Sequence, residues 1–384
     1  MRIGIDISTV LNHGVDIGSG RYIINLIKNL LQIDKKNTYL LTGRYTTSKY
    51  LSSVTDLKTK YPSSKLKIKI FDTTQKKLAV WDRLRFPPIE LLGFRADILH
   101  CPDFMIPPTL NKNIVLTIHD LAFIRFPQFN FDWFIKKYTK EVKRNTATAK
   151  KILADSRSTK NDIVKLLKIN PDKIKVVHLA TDNIFKKLPA GEIDKKTLTK
   201  YNIDKRYILS VGTIEPRKNY PILIKAFNIL KRQNEKFNLK LVIAGRTGWK
   251  SEPTYNERDL SPYRKDILFL GRVSDEDLVQ IYNQAEFFIY PTIFEGFGLP
   301  LLEAMSCGLS VIATDTSSIP EVISNAGILI NSNDVKALSE KIETLASNEE
   351  LKNRLSKKSI EQAKKFSWLK TAEDTLNSYK SVVS

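Results

Sequence analysis

Two alternating series of short β-branched runs and longer amphipathic stretches predict an α/β protein of two domains, each a doubly wound parallel sheet. Length and composition agree, because 384 residues with 42% apolar content can fill two separate cores. A polar break near Ala180 divides the two series.

In the first series Arg2–Ile7, Thr38–Thr42, Lys65–Phe71, Ile98–His100, Ile114–Thr117, Lys151–Ala154 and Ile174–Val177 read as strands. Several are too uniformly apolar for burial on one face only, as in a sheet covered on both sides. After the first of them, Ile23, Ile24, Ile27, Leu30 and Leu31 recur at helical spacing within Arg21–Leu31. Asp182, Pro189, Gly191 and a lysine-rich run then interrupt the pattern. The second series has strands Tyr207–Val211, Lys240–Ala244, Ile267–Leu270, Glu286–Tyr290, Ser310–Thr314 and Gly327–Ile330. Helical patterns follow them, such as Tyr220–Arg232, Asp275–Asn283 and Val335–Ala346. The expected domains are therefore 1–185 and 200–368, with 186–199 as the linker. Ligands of such sheets bind beyond the carboxyl ends of the strands, so a cleft between two facing domains is the expected site.

Cys101 and Cys307 give no disulfide framework and no metal-ligand spacing. Both read as small buried hydrophobes of a protein in a reducing compartment. The opening run Met1–Ile7 is broken by Asp6 too early for a signal peptide. No apolar segment approaches the roughly 20 residues that a membrane-spanning helix needs. The expectation is a cytoplasmic protein, soluble or peripheral to the inner face of the plasma membrane. Of the net charge of +21, +19 lies in residues 1–200 and +2 in residues 201–384. So basic a chain suits nucleic acid, but no zinc-finger spacing, RNA-binding aromatic signature or basic zipper accompanies the charge. An anionic bilayer or a pyrophosphate-linked lipid is the better-fitting partner; the other reading is a lysine-rich surface that only solubilises.

The most informative stretch is Glu295-Gly296-Phe297-Gly298-Leu299-Pro300-Leu301-Leu302-Glu303, two carboxylates around a glycine-bearing turn that runs into a helix. Glycine lets a backbone approach a ligand closely. The amides of Phe297, Gly298 and Leu299 would lie at a helix start, where partial positive charge favours a phosphate. Glu303, expected on the first helical turn, can accept hydrogen bonds from sugar hydroxyls. This layout suits a nucleotide sugar. The alternative is a tight strand-to-helix turn with Glu295 solvated and Glu303 stabilising the helix N-terminus.

Arg217 and Lys218 follow the strand Tyr207–Val211 and precede the helix near Tyr220, so two positive charges and a helix N-terminus converge. His119 ends the strand Ile114–Thr117 at the expected cleft; its other reading is a structural histidine bonded to Asp120 or to backbone. Asp120 is placed to accept a hydrogen bond from an acceptor. Gly18-Ser19-Gly20 opens the first long helix, where Gly18 and Gly20 let backbone amides approach a phosphate or an acceptor. Two glycines without a following acidic strand end are not a dinucleotide fingerprint, which argues against a nicotinamide enzyme.

Asp275-Glu276-Asp277 spells an acidic triplet of the kind that holds a divalent metal on a nucleotide. Ser274 with Asp277 three residues later reads instead as a helix cap, so no metal site is expected. Residues 123–144 interleave Phe126, Phe129, Phe131, Trp133, Phe134 and Tyr138 with Arg125, Lys136, Lys137, Lys140, Lys143 and Arg144. Such a segment either lies in a bilayer interface or turns its aromatics to the core and solvates its lysines.

With these residues in place, the chain resembles the retaining glycosyltransferases of family 4, which have the GT-B fold. Glu295 and Glu303 match the family's motif of a Glu, seven residues and a second Glu. The likeness covers nearly the whole chain through Gly18-Ser19-Gly20-Arg21, Thr117-Ile118-His119-Asp120, the run 211–219, Ala244-Gly245-Arg246 and Phe366-Ser367-Trp368. Segments 210–219 and 115–123 look most like bacterial mannosyltransferases that build surface polysaccharides. The resemblance implies two Rossmann-like domains facing across a cleft, with a last helix, about 369–384, crossing back onto the first. It implies an acceptor-binding first domain and a second that holds the nucleotide sugar. Lys218 would then hold the pyrophosphate, Glu303 the ribose hydroxyls and Glu295 the hydroxyls of the transferred sugar, with His119 beside that sugar. Many relatives carry an Arg where Thr213 stands, which leaves that role to Arg217 or Arg246.

The implied chemistry is attack on the face from which the leaving group departs, the donor phosphate taking the acceptor proton, with no cofactor and no general-base dyad. GDP-mannose is the expected donor and a UDP-hexose the alternative. The expected acceptor is a saccharide or a polyprenyl-diphosphate-linked glycan. Two other classes compete. A sugar-nucleotide epimerase on the same architecture would act without an acceptor, and a nucleic-acid-binding protein would lose affinity steeply with salt.

Overall fold

The computed structural model describes residues 1–15, 17–60 and 65–383, and of Lys60 the backbone alone. The chain divides into two compact units, Met1–Leu179 with Ser367–Ser384, and Ala180–Phe366. In the first unit β1 (Arg2–Asp6), β2 (Thr38–Tyr45), β3 (Leu66–Asp72), β4 (Ile98–Cys101), β5 (Ile114–Ile118), β6 (Lys151–Ala154) and β7 (Ile174–Val176) form one sheet. Its order is β3-β2-β1-β4-β5-β6-β7, every neighbouring pair parallel. The second unit holds β8 (Tyr207–Val211), β9 (Lys240–Ala244), β10 (Ile267–Gly271), β11 (Phe288–Tyr290), β12 (Val311–Thr314) and β13 (Ile328–Ile330). These run parallel in the order β10-β9-β8-β11-β12-β13.

Each predicted strand is present, three with the expected bounds and the others with ends moved by at most three residues. Strands β4, β5, β8, β9, β11 and β12 are buried throughout, as the uniformly apolar runs require of sheets covered on both faces. The strand order reverses between β1 and β4 in one sheet and between β8 and β11 in the other. These are the switch points beside which such sheets bind ligands.

The helix Gly18–Ile33 buries Tyr22, Ile23, Ile24, Leu26, Ile27 and Leu30, and across it lies the last helix, Trp368–Val383. Ser384, the end of the expected helix, lies outside the described residues. The last helix also reaches β4, β5 and β6. A buried polar chain fixes it there. The Tyr379 hydroxyl is 2.7 Å from His100 Nδ1, His100 Nε2 is 2.9 Å from Thr117 Oγ1, and that oxygen is 3.0 Å from the Tyr22 hydroxyl. Burial pushes the His100 pKa down to about 3, so the ring is neutral and one nitrogen donates while the other accepts. Thr371 Oγ1 donates to the His178 carbonyl at 2.7 Å, closing the contact at the other end.

Residues 186–199, the expected linker, fall within the second compact unit. Their polar groups bond to the helix Asp275–Gln284. The Leu188 amide donates to Asn283 Oδ1 at 2.8 Å, the Asp194 amide to Gln280 Oε1 at 2.8 Å, and Gln280 Nε2 to the Glu192 carbonyl at 3.0 Å. Asp194 then caps the helix Lys195–Lys200. The acidic triplet opens the helix Asp275–Gln284, where Ser274 Oγ accepts from the Asp277 amide.

Replacing Tyr379 with Phe removes one link of the buried chain and strands His100 Nδ1 without a partner. The expected loss is about 1–3 kcal/mol of stability in the first unit. Urea unfolding followed by far-ultraviolet circular dichroism measures it, and an unchanged midpoint would show that the hydroxyl fixes nothing.

Candidate functional site

The carboxyl end of β8 leads through Gly212 and Thr213 to Glu215, a single tight turn Pro216–Lys218, and Asn219, which opens the helix Tyr220–Gln233 in the left-handed conformation. The neighbouring β11 leads through Thr292 to Glu295. Two bonds tie these segments together, from the Ile293 amide to the Arg217 carbonyl at 2.8 Å and from Thr292 Oγ1 to the same oxygen at 3.0 Å.

The side chains of Arg217, Lys218 and Glu295 meet here. Glu295 Oε1 accepts from Lys218 Nζ at 2.6 Å and from Thr292 Oγ1 at 2.9 Å, and Oε2 lies 2.7 Å from Arg217 Nη1. Lys218 Nζ also donates to the Tyr290 hydroxyl at 2.8 Å. Arg217 continues to Glu215 Oε1 at 2.7 Å and to the Phe294 carbonyl at 2.8 Å. Lys218 and Glu295 are each only 6% exposed. Burial would raise the Glu295 pKa, but Arg217 and Lys218 pull it down to about 2. Burial likewise lowers the Lys218 pKa, and Glu295 opposes that shift. Glu295 is thus buried and paired, where the turn reading had it solvated.

The turn after Glu295 is held by two serines. The Glu295 amide donates to Ser317 Oγ at 2.9 Å, and Ser318 Oγ donates to the carbonyls of Glu295 and Phe297 at 3.0 and 2.9 Å. Gly298 stands at φ 102°, a left-handed position open to glycine, and its carbonyl accepts from the Leu301 and Leu302 amides. The helix therefore runs Leu299–Ser306. Glu303 is its fifth residue, on the second turn rather than the first, because the helix starts only after Gly298. It is buried, and the Tyr282 hydroxyl donates to its Oε2 at 3.1 Å. Phe297 packs its ring edge-on against Phe366. Thr213 is half-buried at the end of β8, and Arg246 is exposed after β9, its carbonyl accepting from the Ile214 amide at 2.9 Å.

His119, Asp120, Gly18 and Gly20 belong to the first unit. His119 Nδ1 lies 2.7 Å from Asp155 Oδ2 and Nε2 3.1 Å from the Pro102 carbonyl. Its carboxylate partner is Asp155 and not Asp120, whose Oδ1 accepts at 2.9 Å from the amide of Ala122, the first residue of the helix Ala122–Arg125. Burial disfavours the imidazolium, but Asp155, with Asp103 and Asp120 adding, raises the pKa to about 9. Both ring nitrogens then donate, matching two acceptor partners. Gly20 has a packing reason: a Cβ there would sit 2.1 Å from the Gly14 carbonyl oxygen, whereas Gly18 faces open space.

Sequence reasoning missed Tyr290, Thr292, Glu215, Ser317, Ser318 and Asp155. Asp155 had a signal, since Ile118 pairs with Ala154 in the parallel ladder and the next residues, His119 and Asp155, stand side by side. The acidic triplet is engaged elsewhere, with Asp277 Oδ2 taking Lys200 Nζ at 2.6 Å and the Tyr201 hydroxyl at 2.8 Å.

The His119 ring is expected to titrate near pH 9 by NMR, and Asp155→Asn to lower that value, since only the smaller pulls of Asp103 and Asp120 then oppose burial. Because the folded pKa is raised, the pair's contribution to stability is complete below pH ~6.5 and is lost as pH rises through about 9. A wild-type ring that titrates at or below the ordinary value would overturn the ion pair.

Comparison with known proteins matches this architecture along its length. Residues 18–183 fit the model described as "Glycosyltransferase Family 4" and residues 193–362 the model "Glycosyl transferases group 1". The chain is 32% identical over 292 residues to O-antigen chain mannosyltransferase B of Escherichia coli, covering 76% of each protein. Among solved structures, a glycosyltransferase from Rickettsia africae superposes with TM-score 0.75 at 20% identity, covering 100% of this chain and 98% of that one. Anabaena HepE in complex with UDP and glucose gives TM-score 0.75 at 15% identity, covering 99% and 100%. The chain therefore belongs to the family 4 glycosyltransferases of the GT-B fold.

Proposed function

We propose that this glycosyltransferase is a retaining, metal-independent hexosyltransferase that moves mannose from GDP-mannose to a saccharide or polyprenyl-diphosphate-linked acceptor in surface-glycan synthesis. The observation that carries the reading is the buried cluster of Arg217, Lys218 and Glu295 at the switch point of the second sheet. As the glycosidic bond breaks, negative charge grows on the β-phosphate, and cations already fixed in a dry site stabilise it without reorganising. Lys218 and Arg217 are those cations. The start of the helix Leu299–Ser306, with Phe297, Gly298 and Leu299, presents backbone dipoles to the same phosphates.

Glu295 aligns both cations, and through them its carboxylate is set to meet hydroxyls of the transferred sugar. Glu303 takes the ribose hydroxyls, and Thr213 and Arg246 flank the nucleotide. In the first unit, proposed as the acceptor-binding half, His119 brings a positive charge beside the sugar. Asp120 accepts from the acceptor, and Gly18 and Gly20 let the backbone approach. The donor phosphate takes the acceptor's proton, so no separate general base is assigned. Mannose is chosen on the likeness to O-antigen chain mannosyltransferase B. HepE, solved with UDP and glucose, supports the UDP-hexose alternative. Metal independence is supported by the acidic triplet's use as a helix cap and an ion-pair partner. The basic first half supports a peripheral place at the cytoplasmic face of the membrane.

A panel of nucleotide sugars, screened for thermal stabilisation and then for product with and without acceptor, tests the reading, because a ligand that binds the native state raises its stability. Product that forms without acceptor would replace transfer by epimerisation. Glu303→Ala is expected to weaken donor binding by about 1.5–3 kcal/mol, roughly tenfold or more, through lost charge-assisted hydrogen bonds. Calorimetric titration measures this, and an unchanged affinity removes Glu303 from the donor site. Lys218→Ala is expected to lower kcat more than it weakens donor affinity, since its charge meets one that grows in the transition state. Loss confined to affinity would leave Lys218 as a ground-state contact.

A further inference from the structure

Tyr290, the last residue of β11, is 1% exposed, and a phenylalanine would fill nearly the same volume. A hydroxyl buried so deeply needs a partner. That partner is Lys218, whose Nζ donates to it at 2.8 Å while donating to Glu295 Oε1 at 2.6 Å. Burial keeps the phenol un-ionised, and its own O–H turns to Glu295. Lys218, Glu295 and Tyr290 thus form a closed triangle of donors and acceptors.

An ammonium group carries three N–H bonds at the end of a long, rotatable stem. With one acceptor it can still spin about its Cε–Nζ axis, whereas two fixed acceptors stop the rotation and set the direction of the third N–H. The stem is held as well. A Cβ on Gly212 would meet Lys218 Cε at 3.0 Å and Cδ at 3.3 Å, so the lysine lies against the backbone that follows β8. The Tyr290 ring in turn reaches the turn that opens the helix Leu299–Ser306, since a Cβ on Gly298 would stand 3.7 Å from Tyr290 Cε1. One side chain therefore touches both parts of the proposed phosphate cradle, the Lys218 ammonium through its hydroxyl and the helix start through its ring.

We propose that Tyr290 is a positioning residue of the transfer, aiming the third N–H of Lys218 at the β-phosphate of the donor. This rests on the donor-site reading above. Tyr290 touches no substrate and acts through Lys218. The charge that Lys218 meets grows only as the glycosidic bond breaks, so a misdirected ammonium costs turnover more than it costs ground-state binding.

The test compares Tyr290→Phe with wild type and repeats the comparison in Lys218→Ala, with GDP-mannose and, in parallel, UDP-glucose as donors and methyl α-mannoside as acceptor. Release of nucleoside diphosphate gives kcat, calorimetric titration gives donor affinity, and thermal unfolding gives stability. Tyr290→Phe is expected to lower kcat at least about fivefold and to change donor affinity less than about twofold. In Lys218→Ala the same substitution is expected to leave the remaining kcat unchanged, because a residue that acts only through Lys218 has nothing left to act on. A hydroxyl that serves folding alone would lower the unfolding midpoint in both backgrounds and leave kcat intact. Unchanged kcat, a loss confined to affinity, or an equal loss of kcat in both backgrounds would overturn the positioning role and leave the donor site standing. A wild type that binds and turns over neither nucleotide sugar would instead sink the donor-site reading, and the role of Tyr290 with it.

Discussion

The second unit is organised around one buried carboxylate. Glu295 accepts from Arg217, Lys218 and Thr292, and the bonds from the two cations join segments that leave the adjacent strands β8 and β11, Lys218 standing 77 positions before Glu295. A buried charge persists only when paired, and removing one partner from such a pair costs about 3–5 kcal/mol because the other is left uncompensated. The surrounding backbone is fitted to that pairing. Ile293 bonds to Arg217, and Ser317 and Ser318 hold the Glu295 turn. The position of the helix Leu299–Ser306, and with it Glu303, follows from where that turn ends.

The same arrangement recurs in the first unit at smaller scale. Asp155 is 3% exposed at the end of β6 and holds His119 at the end of β5 as a cation. In both units a carboxylate fixes the direction of a positive group at the carboxyl edge of a sheet. The second cluster is close to neutral, because Glu215 and Glu295 balance Arg217 and Lys218. In the proposed donor site an anion would therefore meet cations that are already oriented and largely desolvated, the cost of preparing them having been met in folding.

The strands were legible because a parallel sheet covered on both faces leaves a run of apolar residues with little else to mimic it. Their ends were less so, since hydrogen bonding at an edge has no compositional mark. Residues 186–199 show the limit of composition: a polar segment bonded to a helix reads the same as one bonded to water. Arg217, Lys218, Glu295 and Glu303 stood out as chemistry. That three of them bond to one another did not, because the pairing depends on β8 and β11 being neighbours. Asp120 drew attention by adjacency to His119, yet residues adjacent along an extended chain point to opposite sides, and Asp120 turns to the Ala122 amide. The partner lies one strand away, where Ile118 and Ala154 are in register.

The two halves also differ at the surface. Among the described residues, the second unit exposes Trp249 and Leu260 as large apolar side chains, whereas the first exposes Val80, Leu84, Phe86, Leu91, Leu110, Phe131 and Trp133 between residues 80 and 133 alone. The positive charge has the same bias, +19 in residues 1–200 against +2 in residues 201–384. Folding explains neither. The helix Gln75–Leu84 half-buries Trp81 and Asp82 while exposing Val80 and Leu84, and so forgoes the burial of two aliphatic side chains, which together are worth about 3–6 kcal/mol when fully buried. Sequences depart from the pattern that stabilises them mostly where a function needs the departure. A chemistry confined to strand ends makes no use of such a surface, so neither bias is a requirement of the proposed transfer.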